Sequence, residues 1–169
     1  MSKIFRKSYD IKMPKSQHEF EEFGPGKKGL VMCSECNAVY FKKYWHHGFK
    51  NIAISEKKDL PIKFILCPAC AMIKNKQYEG RITVKNVSEK QAQGLEELIE
   101  GFCRRAFERD PMDRLIKIKT GKNWEITVTE NELANKLTNK IKNIFNKVRI
   151  KRKFNKEPGD VAEITIEPY

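Results

Sequence analysis

Two C-x-x-C pairs, Cys33/Cys36 and Cys67/Cys70, stand thirty residues apart in a chain of 169. Few sequence features constrain a fold more tightly. A tight turn between two cysteines aims both sulfurs at one point. Two such turns complete a tetrahedral four-thiolate shell around zinc, with Zn–S bonds of about 2.3 Å. Each knuckle is expected to follow a strand, and Gly29-Leu30-Val31-Met32 and Pro61-Ile62-Lys63-Phe64-Ile65-Leu66 both read as short apolar strands. This is the layout of a zinc ribbon holding one zinc per chain through Cys33, Cys36, Cys67 and Cys70. The thirty-residue insert lengthens a loop at small entropic cost.

The rival chemistry is redox. "FILCPACAMIK" has the strand–CxxC–helix order of a thioredoxin, in which a lowered thiol pKa makes a nucleophile. That reading leaves Cys33 and Cys36 idle, and the segment before the motif is too short to supply the βαβ unit it needs. The N-terminus is basic but has no apolar core or small-residue cleavage site, so it does not read as a secretion signal. The expected setting is the cytoplasm, where cysteines stay reduced. The fifth cysteine, Cys103, falls in a helical pattern and reads as a small buried hydrophobe.

The insert carries Tyr40, Phe41, Tyr44, Trp45 and Phe49 among Lys42, Lys43 and Lys50. Two readings are open: a stacking platform for exposed bases, or an apolar cover for the zinc site. His46 and His47 are possible substitutes for a thiolate ligand; beside four cysteines they are expected at the surface or facing RNA.

Charge names the partner class. The formal net charge is +12, and an imbalance of that size favours a polyanion, which in the cytosol means nucleic acid. Residues 1–28 read as a flexible basic arm with Lys3, Arg6, Lys7, Lys12 and Lys15. Residues 29–87 read as the zinc ribbon with its aromatic and basic insert, and residues 88–169 as a second domain.

In that second domain Ser88 is a predicted N-cap with Gln91 at the capping-box position. Leu95, Leu98, Ile99, Phe102, Ala106 and Phe107 then recur at helical spacing to about Arg109, and Asp110-Pro111 stops the helix. The cluster Glu108, Asp110 and Asp113 reads as a solvated helix stop. "RLIKIK" and "NWEITVT" alternate around "TGKN" as a hairpin with Ile116, Ile118, Trp124, Ile126 and Val128 inward. A second helix, Glu130 to Phe145, and a second hairpin, "VRIKRKF" and "AEITI", follow. "YEGRITVKNV" just before Ser88 suggests one more short strand, through Ile82, Val84 and Val87. The predicted class is α+β: an αββαββ sandwich with a four-stranded, largely antiparallel sheet and both helices on one face. No Gly-rich phosphate loop, Ser/His/Asp set or catalytic carboxylate pair is present, so no enzyme is expected.

Between Asn131 and Lys156, nine residues are Lys or Arg and Glu132 is the only acid. Alternation along "VRIKRKF" puts Arg149, Lys151 and Lys153 on one strand face, with Glu163 and Glu167 opposite on the partner strand. The candidate RNA-binding residues are therefore Lys42, Lys43, Tyr44, Trp45, His46, Lys136, Lys140, Arg149, Lys151 and Lys153.

"LCPAC", "YEGRITV", "ERDPMDRLIKI" and "ITVTENELANKLTNKI" together resemble the archaeal and eukaryotic zinc-ribbon adaptor family that binds the large ribosomal subunit during maturation and export. They resemble still more its short bacterial relatives. The similarity spans roughly Gly29 to Tyr169. It implies binding to the ribosome and ribosomal RNA without catalysis. No apolar run approaches 20 residues, so no membrane partner is expected, and the chain is expected to be a monomer. The long adaptors carry four C-x-x-C pairs and this chain has two, so export from a nucleus does not follow. The specific roles open are assembly, quality control or hibernation. The alternatives are a DNA-binding zinc-ribbon regulator, a thiol oxidoreductase using Cys67 and Cys70, and a protein-interaction ribbon.

Overall fold

The computed structural model describes residues 30–49, 61–145, 147–155 and 160–168. The expected basic arm, residues 1–28, lies outside the described residues. Among these described residues, nine strands form two sheets, each with its own apolar cluster, and three α-helices accompany them. No helix among the described residues is long and apolar enough to cross a membrane.

The first sheet has the order β3-β2-β1-β4, with β1 at Leu30–Cys33, β2 at Val39–Phe41, β3 at Tyr44–His46 and β4 at Ile62–Ile65. β1 pairs antiparallel with β2 but parallel with β4, so that Cys33 lies opposite Ile65. Helix α1, Pro68–Lys74, follows directly. The second cysteine pair therefore opens a helix instead of turning between two strands, and the unit is a hairpin plus a helix, not a ribbon of strands alone. Proline suits the first turn of a helix, where its missing N–H costs nothing, and Pro68 takes that place. Lys42 and Lys43 join β2 to β3 with φ of 49° and 70°, the positive pair that a type I′ hairpin turn demands.

The second sheet corrects the predicted four strands. It has five, in the order β6-β7-β5-β9-β8. Their bounds are β5 Gly80–Val84, β6 Leu115–Lys119, β7 Trp124–Val128, β8 Val148–Asn155 and β9 Val161–Pro168. Helices α2, Glu89–Arg109, and α3, Asn131–Ile141, complete the unit. The segment "GRITV" is its central strand, antiparallel to β7 and parallel to β9, so the C-terminal sheet begins at Gly80 and not after residue 87. The reason is physical. Ile82 and Val84 are fully buried, as the interior strands of a sheet with helices on one face allow an alternating strand to be.

Ser88 and Gln91 form the expected capping box at the start of α2. Leu95, Ile99 and Cys103 from α2 meet Leu133, Leu137 and Ile141 from α3 over Ile82, Ile126, Ile164 and Ile166. Both helices thus occupy one face. A β-bulge between Leu115 and Lys117 shifts the phase of β6, so Leu115 and Ile118 enter the core in place of the expected pair Ile116 and Ile118. Gly80 has no room for a side chain: a Cβ there would lie 2.5 Å from the Ala134 Cβ. That absence lets α3 sit close on β5.

Candidate metal centre and cationic surfaces

The four sulfurs of Cys33, Cys36, Cys67 and Cys70 all lie within 4.8 Å of one another. Two local structures put them there. After β1 the chain turns tightly, with the Cys33 amide donating to the Ala38 carbonyl (2.7 Å) and Asn37 at φ 59°, which brings Cys36 back beside Cys33. After β4 the Ser34 amide donates to the Ile65 carbonyl (2.9 Å), joining the two knuckles, and Cys67 caps α1. Backbone amides also point at sulfur: Cys67 N–H at Cys33 Sγ (3.3 Å) and Cys70 N–H at Cys67 Sγ (3.4 Å).

No disulfide links them. The Cys36 and Cys67 sulfurs are 3.7 Å apart, far beyond a disulfide bond of about 2.0 Å. In a tetrahedral shell with metal–sulfur bonds of about 2.3 Å, neighbouring sulfurs lie about 3.8 Å apart. Four sulfurs this close together could hold a single metal ion. Its electrostatics agree. Burial raises the Cys33 thiol, yet amides of Cys36, Cys67 and Glu35 outweigh it and lower the pKa to about 6. Burial dominates at Cys67, which is pushed well up, and at Cys70, raised to about 11. One cavity cannot easily hold several thiolates unless a cation compensates them.

Trp45 and Met112 border this cluster, Trp45 also lying 5.4 Å from the Tyr40 ring. The indole N–H of Trp45 is buried without a hydrogen-bond partner, so its ring serves as apolar cover. Met112 comes from the α2–β6 loop. The Thr129 hydroxyl fixes that loop by donating to the Met112 carbonyl and accepting the Arg114 amide (2.8 Å). His47 Nε2 donates to the Phe107 carbonyl, and its ring meets that of Phe107 edge-on at 4.8 Å. The hairpin is thereby held to the end of α2. His46 donates to the Phe41 carbonyl across its own hairpin (3.2 Å), and neither histidine belongs to the sulfur cluster.

The candidate RNA-binding residues occupy three places, not one. Lys42, Lys43 and Tyr44 form the hairpin tip, where Tyr44 is 72 % exposed. Lys136 and Lys140 lie on the helical layer, Lys136 paired with Glu132 (2.9 Å) and Lys140 beside Arg105 and Arg109 in an open groove of about 430 Å³. Arg149, Lys151 and Lys153 lie on the other side of the sheet, along its edge strand β8, opposite Glu167, Thr165 and Glu163. The long basic stretch thus divides between two faces, because its helix covers one face of the sheet and the cations of its strand lie on the other, which no described element covers.

Sequence reasoning overlooked three cations of that open face. Lys117 and Lys119 of β6 and Arg81 of β5 share it with β8, and the alternation of lysine with Ile116 and Ile118 was the available signal. Arg81 binds Glu163 and reaches Glu125 (3.9 Å), and Lys85 binds Glu167 (2.6 Å). The cluster Glu108, Asp110 and Asp113 is not uniformly solvated: Asp113 is half-buried, and burial followed by the neighbouring Asp110 raises its carboxyl pKa.

No protein-family model matches the chain, and no curated protein matches it.

Proposed function

We propose that the chain is a zinc-stabilised, non-enzymatic RNA-binding protein of the cytoplasm that acts on the ribosome, as an assembly, quality-control or hibernation factor. The carrying observation is the sheet face that no described element covers, where β8 lines up Arg149, Lys151 and Lys153 in a protein of net charge +12. Lys151 reaches Glu167 (3.7 Å), but Glu125, Glu163 and Glu167 are fewer than the cations of this face, and an RNA phosphate chain answers the surplus. An all-sulfur donor set of four clustered cysteines suits zinc, and zinc bound there would hold the hairpin and α1 together without any reaction. The ribosome as the site of action rests on the family resemblance of the sequence.

The strand–Cys-Pro-Ala-Cys–helix arrangement is what favours the oxidoreductase alternative. Against it, Cys67 is fully buried and its thiol is pushed up, the reverse of an exposed, activated nucleophile. The test is sedimentation of the tagged protein through a sucrose gradient of cell lysate. Co-migration with ribosomal particles at low salt supports the reading, whereas recovery only at the top of the gradient refutes it.

A further inference from the structure

The registers arrange the open face in rows. One row runs Lys119, Glu125, Thr83, Thr165, Lys151 across five strands. The next runs Lys117, Thr127, Arg81, Glu163, Lys153. Each row ends in a lysine on both sides. Between these rims Arg81 is shared between Glu163 and Glu125, which leaves one negative charge there, and the rest of the floor is threonine. Four strand spacings separate the rims, roughly 19 Å at about 4.8 Å each. No strand residue of this face is aromatic, and the Tyr78 ring at its margin lies beneath the Arg81 guanidinium (5.2 Å).

We propose that this face binds double-helical RNA, its minor groove laid on the sheet and its two phosphate strands held by the β6 and β8 rims. The proposal rests on the RNA-binding reading above and specifies the form of RNA. Two separated cationic rims match two phosphate strands and exceed what one strand needs. Unpaired bases need rings to stack on, and the described strand residues of this face offer none. The wide, shallow minor groove of RNA instead displays 2′-hydroxyls, which the threonine hydroxyls and glutamate carboxylates can meet as hydrogen-bond partners.

The test uses the full chain and three probes of one mixed sequence: a 20-base-pair RNA duplex, the same duplex in DNA, and one RNA strand alone. The RNA duplex is expected to bind roughly ten-fold tighter than either other probe, the worth of one or two hydrogen bonds. Lys117→Ala with Lys119→Ala should weaken duplex binding as much as Lys151→Ala with Lys153→Ala, each pair flattening the salt slope by about 1.8. Thr83→Val with Thr165→Val should erase the preference for RNA over DNA while leaving DNA affinity unchanged. Equal or tighter binding of the single strand, equal binding of the two duplexes, or indifference to the β6 pair would overturn the proposal while leaving RNA binding itself intact. Failure of all three probes to bind would overturn both readings.

Discussion

Cys36 and Cys67 come from separate knuckles, yet their sulfurs lie 3.7 Å apart without a bond between them. That spacing leads to the first expectation: one tightly held zinc per chain and four reduced thiols. Structural zinc in small sites supplies about 10–16 kcal/mol of apparent binding free energy, so chelation should unfold the hairpin and α1. The five-stranded sheet should survive, because its core of Ile82, Ile126, Ile164 and Leu137 shares no residue with the cysteine cluster. Elemental analysis and thermal melts with and without chelator check this. Metal-free protein with two disulfides would contradict it.

Tyr44 and Trp45 are neighbours with opposite surroundings, one exposed and one against the cysteine cluster. Tyr44→Ala should leave zinc content and melting temperature unchanged while weakening binding to single-stranded RNA by about 1–3 kcal/mol, the worth of one stacked base. Trp45→Ala should instead cost about 3 kcal/mol of stability. Trp45→Phe should cost less, since it removes an indole N–H that is already unsatisfied. Equal stability losses for the Tyr44 and Trp45 alanine variants would place both rings in the core.

Gly80→Ala should destabilise the C-terminal unit by about 1–3 kcal/mol, because the new methyl meets Ala134 and Val128 at 2.5 and 2.6 Å. Denaturant unfolding measures it. A companion Ala134→Gly change should recover part of the loss, and no loss in the single variant would mean that α3 does not sit as close as described.

Burial raises the Asp113 pKa, so its stabilising contribution is complete below the unfolded value and is lost as pH rises through the folded one. Asp113→Asn, neutral at every pH, should therefore raise the melting temperature at pH 7. The gain should shrink as the parent's carboxyl protonates on acidification. A lower melting temperature for the variant at pH 7 would show that the ionised carboxylate is held by favourable partners.

The four-cysteine cluster was legible in the sequence because C-x-x-C spacing brings paired sulfurs to one point. The face shared by Arg149, Lys151 and Lys153, and their opposition to Glu163 and Glu167, followed from alternation alone. Strand partners were not legible. Alternation assigns Ile82 to an inner face but does not say that β5 pairs with strands reached only after forty or eighty further residues. The bulge in β6 has no residue signature, and the Lys42-Lys43 turn lacks the Asn-Gly or Asp-Gly that usually marks such a hairpin. Lys136 and Lys140 looked continuous with β8 in sequence, and only the layering of α3 against the sheet separates them.

The most direct measurement of the central claim is the salt dependence of ribosome binding by the parent and by the Arg149→Ala, Lys151→Ala, Lys153→Ala variant. All three side chains are exposed, so the fold should persist and the melting temperature should hold. Removing one cation from a phosphate flattens the slope of log affinity against log salt by about 0.7 to 0.9, so a decrease of about 2 to 3 is expected for the three together, with weaker binding. A variant that co-sediments with ribosomes as well as the parent, on the same salt slope, would contradict the account.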